Sequence, residues 1–125
     1  MKLLLDTHVV LWWLDDPILI SESARDAIAE PSNEVLVSAA SSRETAIKRG
    51  LGKLTAPKDF EAATDACGFR ALPITVAHAL ATEQLPFHHR DPFDRMLIAQ
   101  AFLEEATIVT RDAVISQYGV PIIIG

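Results

Sequence analysis

The chain has a single cysteine, Cys67, in 125 residues. One thiol cannot close an intramolecular bridge, so a disulfide-stapled mini-protein is excluded, and a lone thiol suits a reducing compartment. Cys67 is expected as a buried structural thiol, not a nucleophile. The sequence also lacks any apolar run near the roughly 18 residues that a spanning helix needs. Its apolar start, MKLLLDTHVVLWWLDD, is interrupted by Asp6 and His8, and no small-residue cleavage site follows, so it is not read as an export signal. The expectation is a cytoplasmic protein without a membrane role. No repeat, low-complexity tract or linker-like stretch divides the chain, which is read as one domain over residues 1–125.

Basic residues are outnumbered, with 11 Lys+Arg against 17 Asp+Glu and a net charge of −6. Taken over the whole surface, that balance argues against a nucleic-acid partner, although a basic stripe can coexist with it. What the chain has in quantity is apolar residues, 50% of the total, which excludes disorder and supplies a real core.

The apolar residues fall into alternating strand and helix patterns. Lys2 to Leu5 reads as a strand ending at Asp6, followed by a helix through Trp12 and Trp13. Ser21 caps a helix with Ala24, Ala27 and Ile28 on its apolar face, stopped by Pro31. Glu34 to Ser38 is a β-branched strand leading into a helix over Ala40 to Arg49, which Gly50 ends. Pro57 opens a further helix closed by Gly68, before a short strand at Arg70 to Leu72. Thr75 caps the next helix, and Asp91-Pro92 opens the one carrying Asp94 to Glu105. Thr107 to Thr110 and Ile122 to Ile124 are apolar strands with a helical turn from Asp112 between them. Strands without polar alternation, separated by helices, imply a three-layer α/β fold in which a central parallel sheet is flanked by helices on both faces.

Open parallel sheets bind ligands beyond the carboxyl ends of their strands. Asp6 and Asp112 stand there, and Glu44 lies in the helix after the second strand. Asp91 and Asp94 join them only if their helix begins at the same edge. Each acid alone has a plainer role: Asp6, Asp91 and Asp112 as helix caps, and Glu44 as a solvated residue pairing with Lys48 one turn on. Together, carboxylates converging in one crevice repel one another unless a cation is present. Hard oxygen ligands suit Mg²⁺ or Mn²⁺, and such an ion activates water for phosphodiester hydrolysis.

The pieces LLLDTHVVLWWL, SRETAIKRGLGKL, HRDPFDRMLIAQA and TIVTRD, in this order and spacing, resemble the VapC-type toxins of the PIN-domain ribonuclease family over essentially the whole chain. The resemblance implies a PIN-like fold and a Mg²⁺-dependent endoribonuclease, the toxin of a toxin–antitoxin pair, held in check by a cognate antitoxin and forming a homodimer. It further implies that Asp6, Glu44 and Asp94 are the first three metal-binding acids. Asp112 matches the fourth, and Asp91 the extra acid of the DPFDR variant, either a cap or outer support. One departure is Arg43 before Glu44, where the family carries an aromatic residue; Arg43 is a packing substitute, an ion-pair partner or a phosphate contact.

Five basic residues, Arg43, Lys48, Arg49, Lys53 and Lys58, lie between positions 43 and 58 against Glu44 alone. They form either a solvated face or a flank that tracks RNA phosphates, with Lys48, Arg49 and Lys53 the better candidates. Thr7 is expected to bond a metal-bound water or a carboxylate. His8 reads as a structural or rim residue. His88 and His89 lack a partner at zinc-like spacing and read as loop. Trp12 and Trp13 cannot share a helix face, so one belongs to the core and the other is a partner-facing anchor. Two other classes compete. A receiver-like signalling domain would need an acidic pair after the first strand and a late Lys, but Asp6 is followed by Thr7 and no Lys follows Lys58. A non-catalytic PIN-like scaffold binding RNA or protein is the remaining alternative.

Overall fold

A computed structural model of the chain describes residues 1–54 and 56–125. Five strands form one parallel sheet in the order β3-β2-β1-β4-β5. They are β1 (Lys2–Leu5), β2 (Glu34–Ser38), β3 (Arg70–Leu72), β4 (Thr107–Thr110) and β5 (Ile122–Ile124). Between them run α1 (Thr7–Asp15), α2 (Glu22–Ala29), α3 (Ala39–Gly50), α4 (Phe60–Ala66), α5 (Val76–Ala81) and α6 (Pro92–Glu104). Single 3₁₀ turns occupy 17–19 and 82–84, and a longer one Ala113–Tyr118. No helix among the described residues is long and apolar enough to cross a membrane.

Successive strand residues face opposite sides, so an all-apolar strand must be covered twice. Leu3, Leu5, Val35, Val37 and Val109 pack with Val9, Val10, Ala24, Ile28 and Phe60 on one face. Leu4, Leu36 and Ile108 pack with Leu97, Ile98 and Ala101 of α6 on the other. Each such Leu or Ile contributes about 1.5–3 kcal/mol relative to exposure, which explains why β1, buried on both faces, occupies the centre.

The helix starts follow their caps. Ser21 accepts from Ala24 N–H, and Thr75 and His78 form a reciprocal capping pair. The helix expected from Pro57 begins instead at Phe60, because the Asp59 carboxylate takes the Ala62 N–H at 2.9 Å. Cys67 is exposed, not buried. It is the C-cap of α4, immediately before Gly68 at φ +79°, on a surface turn that no core element covers. Trp12 and Trp13 are both half-buried. Trp13 packs against Phe69, while the Arg111 guanidinium lies 4.2 Å from the Trp12 ring centroid and also donates to the carbonyls of Leu19 and Gly125. Neither indole is a pure core residue.

One buried polar network sets α3 against α6. Gln100 is fully buried and its Oε1 accepts from Ser38 Oγ, while Ser38 Oγ caps α3 by accepting Ala40 N–H. Gln100 Nε2 donates to the Pro73 carbonyl and to His78 Nδ1. Because the Thr75 main-chain N–H also donates to Nδ1, His78 carries its proton on Nε2 and gives it to Glu104 at 3.0 Å. Removing the Gln100 amide leaves both a cavity and unpaired buried partners. Gln100→Ala is therefore expected to lower the free energy of unfolding by about 2–4 kcal/mol in urea titration, and a loss below about 1 kcal/mol would show that the network is dispensable.

Candidate metal centre

β1 and β4 are paired in parallel with Leu5 opposite Val109, so the chain leaves both strands at the same height. Asp6 follows β1 and Thr110 ends β4. Asp6 N–H donates to the Val109 carbonyl, and Thr110 Oγ1 donates to Asp6 Oδ2 at 2.7 Å. The same Thr110 hydroxyl oxygen accepts the Asp112 N–H at 3.0 Å. One buried hydroxyl thus joins the first acid to the fourth. Asp6 also caps α1 through the His8 N–H.

Glu44 lies on the buried side of α3, only 5% exposed, and Lys48 Nζ donates to its Oε2 at 2.6 Å. The Lys48 ammonium is held protonated above its usual range, first by that hydrogen bond, against the opposing effect of burial, and further by the charges of Glu44, Asp91 and Asp94. Lys48 therefore reaches into the acidic crevice from the α3 flank. Asp91 caps α6, with Oδ1 accepting the N–H groups of Phe93 and Asp94. Asp94, one turn inside, has its carboxyl pushed up from 3.8 to about 7. Burial is the main cause; the charges of Asp6, Asp91 and Glu44 add to it and His89 opposes it. The helix that carries Asp94 does begin at the carboxyl edge of the sheet.

His89 enters this group as well, although its sequence context reads as loop. His89 Nε2 lies 2.6 Å from Asp112 Oδ2, and donor atoms of His89, Asp94 and Asp112 all fall within 4.8 Å of one another. The loop is pinned by Arg95, whose guanidinium donates to the carbonyls of Thr82, Leu85, Pro86 and His89. Thr7 does not reach the acids by a hydrogen bond to a carboxylate; its hydroxyl donates to the buried Ser41 Oγ at 2.9 Å and ties α1 to α3. Thr110 takes the carboxylate instead. Its signal in the sequence is a Thr two positions before Asp112 at a strand end. Arg43 and Lys53 are exposed, and Arg49 donates to the Lys58 carbonyl across the loop that follows α3. His8 stays outside, its ring 5.8 Å from that of Trp12.

A three-layer α/β fold whose central strands end in clustered carboxylates defines the structural class, and the sequence itself supplies the family. The chain belongs to the PIN domain family, whose family model matches residues 3–121. Among solved structures it is similar to VapBC2 from Rickettsia felis bound to a DNA fragment from their promoter, with a TM-score of 0.74 at 14% identity, covering 99% of this chain and 98% of that one. It is also similar to DNA-bound VapBC from Salmonella typhimurium, with a TM-score of 0.72 at 19% identity and coverage of 99% and 98%. For FitAcB from Neisseria gonorrhoeae the TM-score is 0.64 at 21% identity, with coverage of 96% and 95%. At these identities the likeness establishes the PIN-like fold. Among curated proteins there is no match.

The raised Asp94 value has a direct consequence for stability. The folded protein keeps a proton on Asp94 up to about pH 7, whereas the unfolded chain releases it near 3.8. Between those values the folded state binds more protons, so this group's contribution to stability falls as pH rises and is fully unfavourable above the folded value. In EDTA, the wild type is expected to lose thermal stability from about pH 4 to about pH 7, and Asp94→Asn to flatten that slope. Parallel slopes in the two proteins would contradict the assignment.

Proposed function

We propose that the chain is a divalent-cation-dependent endoribonuclease acting as the toxin of a toxin–antitoxin pair. The observation that carries this reading is the Asp94 carboxyl, raised to about 7 by burial and by the nearby charges of Asp6, Asp91 and Glu44, and grouped with Asp112 and His89. An excess of buried acid in a crevice is a good fit to a divalent cation, and an all-oxygen majority favours Mg²⁺ or Mn²⁺. Asp6, Glu44, Asp94 and Asp112 would hold it. When bound, such an ion supplies a water of lowered pKa and neutralises charge on the leaving oxygen of a phosphodiester.

The chain's own residues do the positioning. Thr110 and the His8 main-chain N–H each hold one oxygen of the Asp6 carboxylate, and Asp91 adds negative charge while starting α6. Lys48 offers a cation beside Glu44 where a phosphate of the RNA would pass. The exposed Arg43 and Lys53 and the half-buried Arg49 extend positive charge along the same segment, as weaker phosphate contacts. An acidic chain thus presents its basic residues next to its acids.

The antitoxin partner is supported by the shared fold with VapBC and FitAcB structures. A homodimer follows from the family resemblance, and exposed Val76, Leu80 and Phe102 supply apolar surface for assembly. The reading places the protein in the cytoplasm with its RNA substrate.

The deciding experiment is RNA cleavage with end mapping. Wild type should cut with Mg²⁺ or Mn²⁺ and stop in EDTA. Asp6→Asn should fall about a hundredfold or more, and Thr110→Val, which keeps the side-chain shape, about ten- to a hundredfold. Full activity of Asp6→Asn would overturn the site. Cation binding without cleavage of any RNA would instead favour a PIN-like scaffold.

A further inference from the structure

We propose that His89 supplies a nitrogen ligand to the cation held by Asp94 and Asp112, so that this end of the crevice prefers Mn²⁺ over Mg²⁺. The inference rests on the reading of the crevice as a cation site and adds a donor of different chemistry to it.

The geometry is close to a formed coordination set. Donors about 2.1 Å from a common ion lie at most about 4.2 Å apart, so donor atoms that all lie within 4.8 Å of one another need only a small side-chain adjustment. This is the one group of three potential ligands found within such a distance among the described residues. The other histidines are turned elsewhere. His8 packs near Trp12, His78 is buried in the Gln100 network, and His88 meets the Tyr118 ring edge-on at 4.9 Å.

The outer partner of His89 has the form that metal-bound imidazoles require, in which the second ring nitrogen is held so that the first keeps its lone pair for the ion. Tyr118 is buried and stacks on the His89 ring at 5.6 Å. Its hydroxyl lies 2.7 Å from the His89 main-chain nitrogen and 3.2 Å from Nδ1. The main-chain N–H can only donate, so the hydroxyl oxygen accepts there. Its second lone pair can accept Nδ1–H, so that a cation displacing the proton shared between Nε2 and Asp112 Oδ2 would meet the Nε2 lone pair on the side where Asp94 and Asp112 lie. Imidazole nitrogen raises affinity for transition-metal ions more than for Mg²⁺, which prefers oxygen and water.

The test is pulsed electron paramagnetic resonance on the Mn²⁺-loaded protein, which reads nitrogen bound to the ion independently of cleavage. Wild type should show ¹⁴N coupling, retained in His8→Gln and lost in His89→Gln. Calorimetry should show Mn²⁺ binding weakened about tenfold or more in His89→Gln, with Mg²⁺ binding changed by a smaller factor. Mn²⁺ bound to wild type with no ¹⁴N coupling would overturn the inference while leaving the carboxylate site standing; so would coupling that survives in His89→Gln. Failure of wild type to bind Mn²⁺ would overturn both.

Discussion

The Thr110 hydroxyl bridges the ends of two neighbouring buried strands, and the candidate centre depends on that bridge. Because β1 and β4 run parallel and in register, Asp6 and Thr110 emerge side by side, and one buried oxygen can donate to Asp6 while accepting from Asp112. An antiparallel pairing would send the chain out of the two strands at opposite edges. The central position of β1, with Leu3 and Leu5 facing one core and Leu4 the other, anchors this edge in the core. The candidate carboxylates Asp6 and Asp112 are thereby mounted beside the ends of two buried strands.

The remaining acids reach the crevice on helices, and the helices are held by polar contacts inside the core. Gln100 joins the start of α3 to the middle of α6, fixing the helix of Glu44 relative to that of Asp94. Arg95 folds the preceding loop back over four carbonyls and brings His89 against Asp112. The cost of this convergence appears in Asp94, which keeps its proton to about pH 7 because burial and neighbouring acids disfavour its charge. Lys48 offsets part of the same excess at Glu44. A net charge of −6 therefore says little about the partner, since acid and base are segregated within a few residues of each other.

The strands were legible because all-apolar runs between helical patterns have few alternatives: Glu34–Ser38, Arg70–Leu72, Thr107–Thr110 and Ile122–Ile124 coincide with their expected bounds. Caps at Ser21, Thr75 and Asp91 were legible for a local reason, since a side chain two or three residues from its N–H partner is visible in one dimension. Contacts across the fold were not. His89 meets Tyr118 from 29 residues away, and Thr110 meets Asp6 from 104. Thr7 reads as a hydroxyl for a carboxylate or a metal-bound water by proximity to Asp6, and its hydrogen bond goes to Ser41 and not to a carboxylate. Cys67 reads as buried from its residue type alone, but it caps a helix at the surface.

The central claim is that these carboxylates form a single cation site. Its most direct measurement is calorimetric titration of Mn²⁺ into wild type, Asp6→Asn and Asp94→Asn under conditions where all three are folded. The account predicts saturable binding to wild type and a loss of about tenfold or more in affinity in each variant, because each removes one donor from a shared ion. Wild-type affinity in both variants would contradict it.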